Sequence, residues 1–273
     1  MQKVACITGG SHGIGRGIAI ALGKAGYAVA FTYYENEYEA IEVQNTLSTL
    51  GVRSAYYQAK MENITAAEQL ISNVRNEFGR IDAMICNGAM DRRMSILTVT
   101  PEQIQFMTTQ LYMSQMLCAS RAAQWMVKDR IAGSILFTSS IRAQRADTSD
   151  FLYGGMKAAL ERSCQSLALE LAPYGIRVNC IAPGSIDTSG NREAPPCDRV
   201  PLGLMGRTAD IGAAAAFLIS DQAAYITGTV LRVDGGLSLP GQPEGWGVAC
   251  PINRGFVERS YQAMLQEEAE NHG

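Results

Sequence analysis

Short apolar runs alternate with helix-periodic segments along most of the chain. Seven runs have the length of β-strands and lie at residues 4–8, 28–33, 54–59, 83–87, 134–139, 178–182 and 230–234. Segments with helical periodicity lie near residues 14–22, 36–50, 64–78, 101–127, 153–172 and 208–219. The strand-like runs are nearly continuous in apolar residues, as in parallel sheets covered on both faces. The pattern therefore predicts an α/β, single-domain, Rossmann-like doubly wound parallel sheet of about seven strands, with helices on both faces.

Two segments fall outside this alternation. Residues 189–207 contain three prolines and three glycines, which predicts a loop after the sixth strand. Residues 239–273 are predicted to be a C-terminal extension that packs on its own or a neighbouring subunit. The spacing of apolar residues near the end of this extension predicts an amphipathic helix that contains Phe256, Val257, Tyr261, Met264 and Leu265. We therefore expect one domain over residues 1–238, followed by this extension.

Composition narrows the classes of function. The 273 residues carry a formal net charge of −3, which argues against a nucleic-acid partner. The longest apolar stretch, Ile211–Ile219, is too short to span a membrane, and the chain enters a strand without room for a signal peptide. Seven cysteines without a CxxC pair indicate reduced thiols in a cytoplasmic protein, and two histidines make a histidine metal site improbable.

A glycine-rich turn joins the first strand to the first helix. It reads TGGSHGIG over residues 8–15, with glycines at positions 9, 13 and 15. Glycines allow a tight turn and a close approach to a pyrophosphate, whose charge is stabilised at the helix N-terminus. The turn predicts dinucleotide binding, and a plain strand–helix turn is the simpler alternative.

A second candidate site follows the fifth strand. Tyr153 and Lys157 are four residues apart and therefore share one face of a helix, and Ser140 ends the preceding strand. A nearby ammonium favours the phenolate and lowers the pKa of a tyrosine, which would make Tyr153 a usable acid–base. A tyrosine and lysine at this spacing could instead be an ordinary solvated helix face.

Four motifs together resemble the short-chain dehydrogenase/reductase family. They are TGGSHGIG, the Ser140–Tyr153–Lys157 spacing, RVNCIAPGSIDT at 177–188 and ITGTVLRVDGG at 226–236, within residues 3–238. The branch is similar to bacterial glucose dehydrogenase and 3-oxoacyl-carrier-protein reductase. The resemblance implies an NAD(P)-dependent oxidoreductase that transfers a hydride between nicotinamide and a carbonyl or secondary alcohol. It also implies roles for three residues: Tyr153 as acid–base, Ser140 as ligand of the substrate oxygen, and Lys157 as ligand of the nicotinamide ribose.

The resemblance also implies which residues bind the dinucleotide. The cofactor candidates are Gly9, Ser11, His12, Gly13, Ile14, Gly15, Tyr33, Lys60, Met61, Asn87, Gly88, Tyr153, Lys157, Pro183, Gly184, Ile186 and Thr188. Two of them depart from the family pattern. Gly88 stands where the family has alanine, a change of little consequence. Lys60 stands where the family has an aspartate for the adenine, and lysine cannot accept a hydrogen bond, so the adenine would depend on backbone groups near Met61.

The largest departure concerns an asparagine in the fourth helix of the family, which stabilises a helix kink and a water linked to the lysine. An ungapped count places Leu111 there, and a shift of one residue would give the role to Gln110. We favour Leu111, which would leave the proton relay without its usual anchor. A degenerate dinucleotide-binding protein without dehydrogenase activity is therefore the alternative hypothesis.

Cofactor choice, substrate and assembly follow less directly. The second strand ends at Tyr33 without the acidic residue typical of NAD-specific members, and His12 stands where NADP enzymes often carry arginine. We therefore expect NADP(H), with NAD(H) as the alternative.

Three arginines lie in the 189–207 loop and could bind an anionic group or could be solvated: Arg192, Arg199 and Arg207. The substrate is a small molecule: a ketone, a sugar or polyol, or a ketoacyl compound. The family pairs subunits through the fourth and fifth helices and the last strand, which implies a homotetramer or homodimer.

Overall fold

The computed structural model describes residues 2–190, 194–239 and 259–266. The nine strands within these residues are β1 (Val4–Ile7), β2 (Ala28–Tyr33), β3 (Ser54–Gln58), β4 (Ala83–Cys86), β5 (Ser134–Thr138), β6 (Arg177–Pro183), β7 (Ile186–Asp187), β8 (Gly206–Arg207) and β9 (Val230–Val233). The main α-helices are α1 (Gly13–Lys24), α2 (Glu37–Thr49), α3 (Ile64–Phe78), α4 (Pro101–Thr108), α5 (Ser114–Lys128), α6 (Phe151–Leu171) and α7 (Thr208–Ile219).

The seven longer strands form one parallel sheet in the order β3-β2-β1-β4-β5-β6-β9. The order reverses direction at β1 and β4, so the loops after these strands diverge and leave a crevice between them. The fold class predicted from the hydrophobic pattern is confirmed.

Two hydrophobic layers cover the two faces of the sheet. Val4 and Cys6 of β1 belong to one layer, and Ala5 and Ile7 belong to the other, because side chains alternate along a strand. The first layer includes residues of α3, α5 and α6, and the second includes residues of α1, α2 and α7. Both faces of β1 are therefore buried, which explains its continuous apolar sequence.

The helix expected over residues 101–127 is interrupted. Thr100 begins α4 with a capping box, in which its hydroxyl accepts from the Gln103 amide and the Gln103 side chain accepts from the Thr100 amide. A π-helical turn at Thr109–Met113 then separates α4 from α5. A π-turn inserts one extra residue, so it changes which side chains of the following residues face inward.

The segments outside the alternation have some structure of their own. Within 189–207, β8 pairs in parallel with β7, and Pro196 forms an isolated antiparallel bridge with Leu204. Residues 259–266 of the extension are helical, and Tyr261 and Leu265 remain well exposed. Phe256 and Val257 lie outside the described residues. Of the helices that the structure describes, none combines the length and apolarity needed to cross a membrane.

Close packing of α1 on α7 leads to a test of the fold. A Cβ atom on Gly17 would lie 2.3 Å from the Thr208 carbonyl oxygen, and one on Gly212 would lie 2.5 Å from the Gly17 carbonyl oxygen. We expect Gly17→Val to lower the free energy of unfolding by about 3 kcal/mol, because backbone must move to accommodate the side chain. Urea unfolding would measure it.

The control for this substitution is Gly155→Ala on α6, where a Cβ would meet nothing within 4 Å. Because alanine is the better helix former, this variant should be as stable as the wild type or slightly more stable. Equal stabilities of Gly17→Val and wild type would contradict the helix contact.

Candidate active site

Ser140 follows β5 at the carboxyl edge of the sheet. It begins a short 3-10 turn, Ile141–Ala143, and its Oγ accepts a hydrogen bond of 3.2 Å from the Arg142 amide. The residue is 8 % exposed. This turn directs the chain from the sheet edge towards the start of α6, so Ser140 lies next to the helix that carries the other two catalytic candidates.

Tyr153 and Lys157 lie on successive turns of α6. This helix begins at Phe151, two residues before its predicted start. The Lys157 Nζ donates to the Thr138 carbonyl oxygen at 2.6 Å, and it lies 5.5 Å from the centre of the Tyr153 ring. The Ser140 side chain is close enough to Tyr153 to lower the pKa of the tyrosine as a hydrogen-bond partner. The structure therefore brings Ser140, Tyr153 and Lys157 together.

The pKa of Tyr153 differs from the sequence-based expectation. Burial raises it to about 12, while the hydrogen bond from Ser140 and the charge of Arg142 lower it. Lys157 was expected to lower the pKa of Tyr153, but this effect does not dominate, because the Lys157 ammonium is directed at the Thr138 carbonyl. Burial also lowers the pKa of Lys157 to about 8. Tyr153 is therefore protonated at neutral pH and Lys157 is largely charged.

A charged cluster that sequence reasoning missed lies beside Tyr153. Asp147 contacts Arg93 at 2.8 Å and Arg142 at 2.6 Å. Asp150 precedes α6 and is 7 % exposed, and its Oδ2 has no hydrogen-bond partner. Burial raises the pKa of Asp150 to about 6. The Asp150 charge raises the pKa of Tyr153 and the Arg142 charge lowers it, so the cluster sets part of the electrostatic environment of the tyrosine.

The glycine-rich turn packs against the end of β4. A Cβ on Gly9 would lie 2.8 Å from the Gly88 Cα, and one on Gly15 would lie 1.8 Å from the Gly9 carbonyl oxygen. Asn87 Nδ2 donates to the carbonyl oxygens of Thr8 and Gly9, each at 3.1 Å. These contacts require glycine at positions 9 and 15 and bring the turn close against the end of β4, directly before the N-terminus of α1.

The segment after β6 lies over the same turn. A Cβ on Gly13 would lie 3.5 Å from the Thr188 Cγ2, and Gly184 is so close to Asp234 that a Cβ there would approach it to 2.6 Å. Pro183 ends β6 and is paired in register with Val233, while Ile186 and Ile14 are half-buried. The predicted pyrophosphate and nicotinamide segments therefore face each other.

The residues predicted to bind the adenine make polar contacts with other parts of the chain. Lys60 Nζ lies 3.0 Å from the Glu35 Oε1. The Met61 carbonyl accepts a hydrogen bond from Ser114, and Met61 is buried. Tyr33 ends β2 half-buried. The positive charge of Lys60 is therefore balanced by Glu35, and one of the backbone groups near Met61 that were expected to serve the adenine already has a partner.

His12 and Arg16 border the first turn of α1. His12 Nδ1 lies 3.6 Å from Glu39 Oε2, and Arg16 lies 3.5 Å from Glu42 Oε2, all on exposed side chains. Ser11, between Gly10 and His12, is 1 % exposed. The side chains of His12 and Arg16 therefore both face carboxylates of α2 across the turn.

The two candidates for the asparagine position, Leu111 and Gln110, both lie in the π-turn. Leu111 is fully buried in an apolar cluster with Met107 and Leu152. Gln110 instead points towards the end of β4, where its Oε1 accepts from the Met90 amide at 3.1 Å. Of the two candidates, Gln110 is therefore the one that makes a polar contact near the end of β4, and the assignment of Leu111 to the family position stays a prediction.

Gln115 is a further residue that the sequence reasoning missed. Its Nε2 donates to the carbonyl oxygens of Gly88 and Gln110, and the latter distance is 3.1 Å. A buried glutamine in a helix has no sequence signal of its own. Of the loop arginines, Arg207 is paired with Asp210 at 3.1 Å, and Arg192 lies outside the described residues.

Comparisons with known proteins agree with this geometry. The sequence profile of a family described as enoyl-(acyl carrier protein) reductase matches residues 9–238. Glucose 1-dehydrogenase 2 of Bacillus subtilis is 31 % identical, over 89 % of this chain and 97 % of its own. The 3-oxoacyl-[acyl-carrier-protein] reductase FabG of Staphylococcus aureus is 31 % identical, over 88 % and 99 %.

A solved structure has the same architecture. The acetoin dehydrogenase YohF of Salmonella typhimurium superposes with a TM-score of 0.85 and 29 % sequence identity, over 89 % of this chain and 98 % of its own. The parallel sheet, the glycine-rich turn and the matched sequence thus agree, and the chain belongs to the short-chain dehydrogenase/reductase family of oxidoreductases.

Proposed function

We propose that this protein is an NAD(P)-dependent oxidoreductase that interconverts a carbonyl and a secondary alcohol, with Tyr153 as acid–base. The observation that carries the proposal is the convergence of Ser140, Tyr153 and Lys157 at the carboxyl edge of the sheet. This edge is where parallel α/β sheets bind ligands.

The residues fit a dinucleotide cofactor. Gly9 and Gly15 allow the tight turn at the N-terminus of α1, where the charge of a pyrophosphate would be stabilised, and Gly13 lies beside Thr188. A bound nicotinamide would supply or accept the hydride. We assign residues 1–238 to dinucleotide binding and catalysis, and residues 239–273 to an extension.

Each catalytic candidate then has a distinct task. Ser140 donates a hydrogen bond to the substrate oxygen and orients it. Tyr153, protonated at neutral pH, donates its proton to that oxygen in reduction. In oxidation it must first be deprotonated, so that the phenolate can accept the proton of the alcohol. Lys157 places a positive charge beside the phenol. If its ammonium exchanges the Thr138 carbonyl for a ribose hydroxyl, it can donate a hydrogen bond to the cofactor.

The substrate classes that we propose are a ketone, a sugar or polyol, and a ketoacyl compound. The relatives named for glucose, an oxoacyl carrier and acetoin all act on such groups. We also propose a cytoplasmic homotetramer or homodimer that pairs through α4, α5, α6 and β9. The exposed Leu169 and Phe151 of α6 favour such pairing. No observation favours the non-catalytic alternative.

The acid–base assignment is tested by Tyr153→Phe. We expect kcat to fall about 100- to 10,000-fold, because the phenyl ring cannot transfer a proton, and cofactor affinity to stay unchanged. Turnover would be measured over a panel of carbonyls and alcohols, and affinity by fluorescence titration. Tyr225→Phe is the control, because Tyr225 is fully exposed. Substantial turnover by Tyr153→Phe would show the assignment to be wrong.

Cofactor preference gives a second test. We expect NADPH to bind more tightly than NADH, since β2 ends without an acidic residue and His12 and Arg16 border the turn. Glu39→Gln should widen the preference by up to about fivefold, because an exposed ion pair contributes at most about 1 kcal/mol. Titration with both cofactors measures this, with the exposed Glu170→Gln as control. Tighter NADH binding by the wild type would overturn the preference.

Burial of Lys157 makes a third prediction. Its pKa is about 8 in the folded protein, against a usual 10.5, so the unfolded chain binds more protons between these values and stability rises with pH there. The buried ammonium therefore costs stability at pH 7. We expect Lys157→Met to raise the free energy of unfolding by about 2 kcal/mol at pH 7. The gain is no larger because loss of the Thr138 hydrogen bond offsets part of it. The same variant should have no turnover.

This gain in stability should shrink as the pH rises above about 8, because the wild-type lysine loses its charge. Urea unfolding at several pH values would follow the gain, with the exposed Lys24→Met as control. A variant that is less stable than the wild type at pH 7, or a gain that does not depend on pH, would contradict the argument.

A further inference from the structure

A buried carboxylate lies on the face of α6 that carries the catalytic candidates. Glu161 is four residues after Lys157 and eight after Tyr153, and residues at this spacing share a helix face. It is 9 % exposed. Its oxygens accept hydrogen bonds from two neutral groups: Oε1 from the Ser139 hydroxyl at 2.8 Å and Oε2 from the Gln144 amide at 3.1 Å.

The two donors lie on either side of Ser140. Ser139 is the residue before Ser140, and its amide donates to the Ile181 carbonyl of β6 at 2.7 Å. Gln144 follows the 3-10 turn that Ser140 begins. Glu161 therefore binds both ends of the segment that carries Ser140 and joins them to the helix that carries Tyr153.

Stability alone does not account for this carboxylate. Removing a carboxylate from water costs several kcal/mol, and neutral donors recover only part of that cost. An apolar side chain of similar volume in the same place would avoid the cost, as buried charged groups replaced by hydrophobic ones often show. The two hydrogen bonds do provide something that an apolar side chain cannot, which is a fixed distance and direction between the Ser140 segment and α6.

We propose that Glu161 is a positioning residue that holds the Ser140 hydroxyl in hydrogen-bonding distance of Tyr153 and of the substrate oxygen. This inference rests on the proposed function. Glu161 acts through hydrogen-bond geometry, and its negative charge is not itself required.

Two substitutions at position 161 separate geometry from charge. In Glu161→Gln, the amide can accept from Gln144 and donate to Ser139, while the Ser139 hydroxyl turns to the Lys157 carbonyl, 3.3 Å away. This variant should keep turnover close to that of the wild type. Glu161→Leu lacks both hydrogen bonds, and its kcat should fall about 100-fold, as expected for a misplaced reacting group, with KM and cofactor affinity unchanged.

The pH profile gives a readout that a purely structural role would not change. The Ser140 hydrogen bond lowers the pKa of Tyr153, together with Arg142, while Asp91 and Asp150 raise it. In the oxidative direction, the rise of kcat with pH follows loss of the Tyr153 proton. Glu161→Leu should move this rise to higher pH, and Glu161→Gln should leave it in place.

Gln144→Ala provides a matched check, because it removes one of the two hydrogen bonds. Alone it should lower kcat by less than Glu161→Leu does, and added to Glu161→Leu it should have no further effect. Unfolding by urea would show that the Leu variant is folded. Wild-type kcat and pH profile in Glu161→Leu, or equal losses in the Gln and Leu variants, would overturn the proposal.

A spectroscopic readout separates this proposal from the proposed function. The 13Cζ resonance of Tyr153, identified by its absence in Tyr153→Phe, reports the hydrogen bond from Ser140 without any turnover. It should shift in Glu161→Leu and keep its wild-type position in Glu161→Gln. An unshifted resonance in Glu161→Leu would refute the positioning role. Turnover that persists in Tyr153→Phe would refute the proposed function instead.

Discussion

The hydrogen bond from the buried Lys157 ammonium to the Thr138 carbonyl joins α6 to the end of β5, and the candidate active site depends on this junction. Thr138 is two residues before Ser140, so the bond fixes the helix relative to the serine as well as to the sheet. The parallel sheet then determines the rest, because the loops after β1, β4, β5 and β6 all leave from the same edge. A helix attached at that edge therefore has its first turns beside the loops that leave it.

The junction is built from groups that hydrophobic folding alone would exclude. Lys157 is 3 % exposed and Glu161 is 9 % exposed, and each is held by uncharged partners. Burial lowers the pKa of the lysine and raises that of Tyr153 for the same physical reason, since both charged forms are poorly solvated there. Sites that position charge for chemistry commonly reduce stability, and here the reduction falls on the helix that holds the reacting groups.

The fold could be predicted from sequence because buried apolar residues recur with the period of the helix or strand that contains them. The strand-like runs at 4–8 and 28–33 became β1 and β2 within a residue, and α3 has the predicted bounds. Tyr153 and Lys157 could be placed on one helix face because their spacing follows helix geometry, and Ser140 was added through its spacing in the family that the sequence resembles. The partners of Lys60 and Asp147 could not, because Glu35 is 25 residues from the lysine and Arg93 is 54 from the aspartate. Such pairs are determined by tertiary packing, which leaves no local pattern.

The π-turn at Thr109–Met113 is the part of this region that periodicity could not predict. A periodic pattern assumes a regular helix, and one extra residue rotates every following side chain relative to that pattern. Gln110 faces β4, where it satisfies the Met90 amide, and Gln115 satisfies the Gly88 carbonyl. The polar connection between this helix and the end of β4 is therefore kept, although Leu111 itself is apolar.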